Sequence, residues 1–460
     1  MRFRPTPVAL LLAFSFACGS GLRAQQPAPR RLTLKDAIAL ALKNNVSVLT
    51  ALTQVSESEG TRERRLAVLL PHASGDTQAV LEKNNLTILG LSVPGIPPTV
   101  GPFAYYDFRA SAQQSVVDRE AYHNWKASVQ QEQATQLDYQ DTRDLVVRQT
   151  AGLYLDAEAA AAEIEAAQSR VITSQALEKL AQDEHDQGLA TAIDVVRSQV
   201  QLARDQQDLL VAQNTYQTSL LVLARFLGLS PGIPLELSEK LEFRHIAVPD
   251  IEQALPAALA ARDDYRALLS ERQSLIEQEK ASHARYFPTL SVNGNYGAAG
   301  RNFGMMPSSG VIEGTLSVTI FDRDRVGEKK EIQSRADRLD SQIDDLSRGI
   351  EQDLRKAVLD LKSTEQQVNV TAVALDLAQR ELTLAEDRFR NGVTDNIEVI
   401  TAQAALTTAQ DDHIMAIAQH EDARAALARA LGATEKNYQT YLGQSDPAGS
   451  ANILEKVKVP

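Results

Sequence analysis

Cysteine is almost missing: the single copy, Cys18, lies within the first 24 residues, so no intrachain disulfide can hold the fold. Aromatic residues make up only 5% of the chain, few for a globular core of 460 residues. Proline is absent from Asp118 to Ser230 and again from Ser308 to Asp446, which leaves two long stretches free for unbroken helix. No apolar run reaches the roughly 18 residues that a membrane-spanning helix needs. There is no Gly-rich phosphate loop, no His-Glu-x-x-His and no Ser/His/Asp order in a motif context, so catalysis is not expected. Basic charge is also short. The net charge is −13, which disfavours nucleic acid as a partner and suits either a solvated surface or a cation-favouring lumen.

What is present begins with a leader. Arg2 and Arg4 precede the apolar run Val8–Ala17, and Leu22-Arg23-Ala24 offers a small-residue cleavage site. Residues 1–24 are therefore expected to be a secretory signal. Its loss removes three Arg and takes the charge from −13 to −16. Ser15-Phe16-Ala17 makes a poor lipoprotein signal before Cys18, so lipid attachment is not the expected fate of that residue. An exported chain without a transmembrane helix is periplasmic, secreted or a β-barrel.

The chain repeats itself. Residues 382–433 match residues 178–229 at an offset of 204 with no gap. Gly188 falls on Gly392, Ile193 on Ile397, Asp194 on Glu398 and Gln199 on Gln403. Upstream the offset becomes 217, with Leu42 on Leu259 and Pro71 on Pro288, so the first copy carries thirteen extra residues between Pro71 and Asp118. One unit has been used twice. The expected organisation is a linker at 25–31, a first repeat at 32–229, a connector at 230–249, a second repeat at 250–433 and a polar tail at 434–460. Each repeat reads helix, two strands, long helix, turn, helix.

The elements follow from local patterns. Thr33 can cap a helix with Asp36 three residues on, and that helix is expected to run to about Leu69. Pro71 ends it. Strands are predicted at about 72–82 and, by alternation, through Asp107, Arg109, Ser111, Gln113 and Ser115. The full hairpin spans about 72–117, and the second spans about 289–321. Asp76, Asp107 and Arg109 alternate onto one wetter face, the candidate lumen of a membrane barrel. Tyr105 and Tyr106 either join an interfacial aromatic girdle or flank the loop. Four strands cannot close a barrel, and open edges cannot face lipid, so strands that enter a membrane must be shared among several chains. The proline-free stretches predict a helix over about 119–187, about 100 Å long, a turn at Gly188 and a return helix. Helices of this length pair as coiled coil. His413 and His420 share a helix face without a third ligand and are expected to be exposed, with no metal bound.

The segments LTLKDAIALALKNN at 32–45, Leu70-Pro71, Phe287-Pro288, RFRNGVTDNIEVITAQ at 388–403 and LARFLGL at 223–229 together resemble the TolC family of outer-membrane efflux proteins. The resemblance covers nearly the whole chain after the leader. It implies an α+β membrane protein. Each chain gives four strands to a trimeric twelve-stranded barrel and its helices to a coiled-coil tunnel in the periplasm. The implied protein is a passive export duct in the bacterial outer membrane, without cofactor, partnered by a periplasmic adaptor and an inner-membrane pump. The helical turns at Gly188 and Gly392 then form the adaptor-docking tip, with Phe389 and Thr394 beside the second. Glu398 matches the first acid of the family's aperture ring and would favour cations. Thr401 stands where a second acid is usual, so the constriction should be less acidic. Asp194 takes the place of Glu398 in the first copy, as a cap or tip-packing residue. Thr394 replaces an Arg, so that latch is not expected. The alternative is a periplasmic coiled-coil adaptor or scaffold whose strands form a soluble domain.

Overall fold

The computed structural model describes residues 30–88, 90, 94–188, 190–391, 393–394, 396–432 and 434–442. The expected leader, Gly392 and the last part of the tail lie outside these residues.

The chain opens with β1 (Arg30–Leu32), α1 (Leu34–Asn44) and α2 (Val46–Ala67). The antiparallel strands β2 (His72–Asn85) and β3 (Thr99–Val117) follow, then α3 (Arg119–Asp186) and α4 (Ala192–Phe226). A connector with β4 (Leu235–Leu237) leads to α5 (Ile251–Ala261), α6 (Asp263–Ala284), β5 (Thr289–Gly300) and β6 (Ser308–Ser317). The chain continues through α7 (Asp324–Arg390), α8 (Asn396–Ala430) and α9 (Thr434–Leu442). Helices α3 and α7 hold 68 and 67 residues, so each runs about 100 Å. Asp118 caps the first through its carboxylate, which accepts from the Ala121 amide at 2.8 Å. Among the described residues no helix is long and apolar enough to cross a membrane.

Three expectations are corrected. The first helix does not run on to Leu69, because it breaks at Asn45, whose backbone is extended (ψ 133°). The Asn45 side chain caps the new start by accepting from the Ser47 amide at 2.8 Å, and it donates to the Phe226 carbonyl at 2.9 Å. Arg262 breaks α5 from α6 in the same way (ψ 114°). At both breaks a glycine in the left-handed region fits against the bend, Gly228 at φ +68° and Gly432 at φ +77°. A Cβ on either would come within 2.8 Å of the opposing chain, so these glycines serve close approach as well as backbone conformation. Second, Arg30 and Arg31 are not linker. They form β1, parallel to β4, and the buried Tyr154 hydroxyl donates to the Leu32 carbonyl at 3.0 Å. Third, the tail begins as helix α9. It is anchored where Arg143 grips Glu435 and where Tyr441 joins the apolar cluster of α7 and α8.

The core is divided along the helices. One cluster joins α1, α3 and the ends of α4 and α8 around Ile38, Val147 and Leu223. Another joins the connector to α7 and α8 through Ile246, Leu354, Leu361 and Leu427. A third lies near the far end of the long helices. Alanine recurs in all of them and lets the helices approach closely.

Beneath the connector, Glu158 of α3 is 5% exposed, with Glu239, Glu242, Arg244 and Glu421 around it. Burial, reinforced by the charge of Glu239, pushes its carboxyl up to about 8. The unfolded carboxyl ionises near its ordinary value of about 4.3. This group's contribution to stability is therefore complete below that value and drains away as pH rises to about 8. Glu158→Gln should remove that dependence. The variant's melting temperature should gain on the wild type between pH 5 and pH 8, and an offset that stays constant across that range would contradict this.

Candidate functional site

The four long strands form one sheet in the order β2-β3-β5-β6. Cross-strand register decides which side chains share a face. Asp76 lies opposite Arg109, Gln78 opposite Asp107, Ser111 opposite Asn295 and Asn293 opposite Glu313. The three candidate lumen residues are thus brought together in adjoining rows of one polar face. Arg109 is fixed there: one guanidinium nitrogen donates to Asn295 at 2.7 Å and another meets Asp107 at 3.2 Å. The second oxygen of Asp107 is buried without a hydrogen-bond partner among the described residues. The opposite face carries Tyr106, Phe108, Tyr296, Ile312 and Leu316. Ile312 is 86% exposed and Leu316 67%. Alternation separates the two tyrosines: Tyr106 lies on the apolar face, stacked on Phe303 at 4.7 Å, and Tyr105 on the polar one. Among the described residues, β2 and β6 are the unpaired edges of this sheet.

The other end of the molecule is the reversal of the long helices. Gly188 takes φ +78° between α3 and α4 with open space around its Cα, so only backbone conformation demands glycine there. Asp194 is a capping residue: its carboxylate accepts from the Thr191 amide at 3.0 Å and from the Thr191 hydroxyl at 2.5 Å. Phe389 is 4% exposed, packed with Val399, Ala402 and Leu406. Its ring is inside the tip and not on the surface. Glu398 is not a free acid, because Arg388 reaches it at 2.8 Å and the Thr394 hydroxyl donates to it. Thr401 donates its hydroxyl back to the Ile397 carbonyl at 2.8 Å and is exposed.

Sequence reasoning missed the residues that join the two helical hairpins. Asn396 is 1% exposed and donates to the Asp194 carbonyl at 3.0 Å. Its repeat mate is Ala192, so the duplication gave no signal for it. One layer further in, Gln403 donates to Ser174 at 2.5 Å and to Asp205 at 3.2 Å, all three buried. Burial raises the Asp205 carboxyl, and hydrogen bonds from Ser174 and Gln201 work against the shift. Further along, Arg170 spans Glu163 at 2.5 Å and Asp411 at 3.0 Å. The repeat match of Gln199 to Gln403 marked the position but not this layer. The expectation of exposed histidines also fails. His420 is 1% exposed, hydrogen-bonded to the Arg244 carbonyl at 3.1 Å and to Thr364 at 3.2 Å. His413 is half-buried and meets Thr371 at 3.1 Å.

A family model described as outer membrane efflux protein matches residues 38–229 and 254–433. The chain belongs to the outer membrane efflux protein family. A relative from Pseudomonas putida, the probable efflux pump outer membrane protein TtgC, is 26% identical over 289 residues, 59% of this chain and 55% of that protein. The chain thus spans little more than half the length of that curated relative. Among solved structures, the outer-membrane channel OprN superposes with a TM-score of 0.76 at 17% identity, over 87% of this chain and 89% of that one. The outer membrane protein VceC of Vibrio cholerae gives 0.75 at 16% identity, over 87% and 96%. These likenesses show the efflux-protein fold.

If Asn396 joins the two reversals, Asn396→Ala should cost about 1–2 kcal/mol. Amide exchange near residues 186–196 should then quicken while the sheet keeps its protection. Equal loosening everywhere, or none, would contradict the joint.

Proposed function

We propose that this chain is the outer-membrane channel of a tripartite efflux or type I secretion system, a passive duct across the periplasm and the outer membrane. Three copies pool their four strands into one twelve-stranded barrel, with the Asp76–Asp107–Arg109 face toward water and the Tyr106–Phe108–Ile312 face toward lipid. The single observation that carries this reading is the sheet itself. It has one polar face, one exposed apolar face and two free edges, and it sits at the end of helices about 100 Å long. A sheet of this kind is stable in hydrocarbon only when its edges are closed. Nothing in the fold favours the adaptor alternative, whose strands would need a covering layer over their apolar face.

On this reading each chain is a duplicated unit, with bends at Asn45 and Arg262 as equivalent joints. The reversal at Gly188 and the one between α7 and α8 face the adaptor and, through it, the inner-membrane pump. Phe389 supports the reversal from inside and Thr394 orients Glu398. Glu398 and Thr401, with Asp194 behind them, border the aperture. Because Arg388 offsets Glu398 within the chain, removing the acid leaves an unpaired cation at the narrowest point.

Purified protein in planar bilayers should give discrete conductance steps, and a detergent-free soluble monomer that stays silent would overturn the channel reading. In a salt gradient, Glu398→Ala should move the reversal potential toward anions. An unchanged potential would remove Glu398 from the aperture.

A further inference from the structure

The first hairpin outruns the second. Strand β5 pairs with β3 only as far as Gly300 opposite Tyr106, whereas β2 and β3 stay paired out to Asn85 opposite Thr99. The extension stands about 20 Å beyond the four-stranded rows, at about 3.4 Å per residue. It points away from the helices, because α2 enters β2 and α3 leaves β3 at the opposite end.

The character of the polar face changes on this extension. Below it the rows are Asp107 with Gln78 and Arg109 with Asp76. Above them the same face carries Tyr105 opposite Val80 and Phe103 opposite Glu82. The rings of Phe103 and Tyr105 stack at 6.4 Å with 29° between their planes. One oxygen of Glu82 accepts from Asn84 at 2.8 Å. The register slips between Glu82 and Asn84, and Gly101 in that bulge takes φ +104°, where a Cβ would fall 2.6 Å from the Glu82 carbonyl. Bulges of this kind re-aim neighbouring side chains. From Asn84 to Tyr106 no residue is charged, so on this face of the extension Glu82 supplies the charge and the two rings supply the apolar surface.

We propose that Phe103, Tyr105 and Glu82 form a subsite for apolar organic cations at the outer mouth of the lumen. The inference rests on the reading of the polar face as lumen. A cation is attracted to the faces of the rings, the carboxylate offsets its charge, and the rings displace water from its apolar groups. A small hydrated cation gains little from the rings, and a neutral apolar molecule gains nothing from Glu82. With three copies around the axis, three such subsites form a collar.

The test uses the intact trimer in planar bilayers, with tetraphenylphosphonium as the probe and tetraethylammonium as an aliphatic cation of equal charge. Tetraphenylphosphonium should block the wild-type current at concentrations where tetraethylammonium does not. Replacing both rings, Phe103→Ser with Tyr105→Ser, should raise the half-blocking concentration about tenfold, and Glu82→Gln should raise it several-fold. Tyr105→Phe, which keeps the ring, should leave block intact, and an unchanged unit conductance shows that each variant still assembles. Equal block by the two cations, or block insensitive to loss of both rings, overturns the subsite while leaving the channel standing. A wild-type chain that forms no pores overturns both.

Discussion

An unpaired backbone amide or carbonyl in hydrocarbon costs several kcal/mol, and this chain leaves two full rows of them at the edges of its sheet. Among the described residues, strands β2 and β6 have no partner on their outer sides, yet the face they share is apolar and exposed from Ile312 to Leu316. Water would tolerate the edges but not favour that face. Lipid would favour the face but not tolerate the edges. Closure by further copies would satisfy both, and it would give the other face, with its fixed Arg109, an aqueous interior.

The helical half faces a different constraint. Helices about 100 Å long cannot be held by one central core, so the apolar contacts are split into clusters separated by buried polar layers. Asn396, Gln403 with Ser174 and Asp205, and Arg170 with its two carboxylates each fix the α3/α4 hairpin against α7/α8. Buried hydrogen bonds of this type specify position more than they add stability. They keep the register of helices whose alanine-rich faces would otherwise slide. The same logic explains the bends at Asn45 and Arg262, where a glycine at the end of the returning helix fits under a break in the descending one.

Much of this was legible in the residues. Proline-free stretches announced the long helices, alternation announced the strands, and the 204-residue repeat announced the hairpins. That Asp76, Asp107 and Arg109 share one polar face was legible because period two places Asp107 and Arg109 together, and register then adds Asp76. Less visible was whatever depends on contacts between distant segments. Arg30 and Arg31 read as linker until β4 pairs with them, and α9 reads as tail until Arg143 and the apolar cluster receive it. Phe389 was placed beside the docking turn by resemblance, but its ring is buried with Val399, Ala402 and Leu406 of α8. Glu398 was legible as an acid at the start of α8, but its partner was not, because Arg388 lies on the preceding helix across the reversal.

Closure of the sheet by neighbouring copies can be read directly by oxidative cross-linking in native membranes. On a Cys18→Ala background, cysteines placed along β2 at Ala73, Gly75 and Thr77 would each be combined with Ile312→Cys on β6. Within one chain those edges are three strand spacings of about 4.8 Å apart, too far for a disulfide. Pairing between copies predicts a ladder on non-reducing gels that ends at three chains, for at least one β2 position. Free thiols and single chains throughout the scan would contradict it.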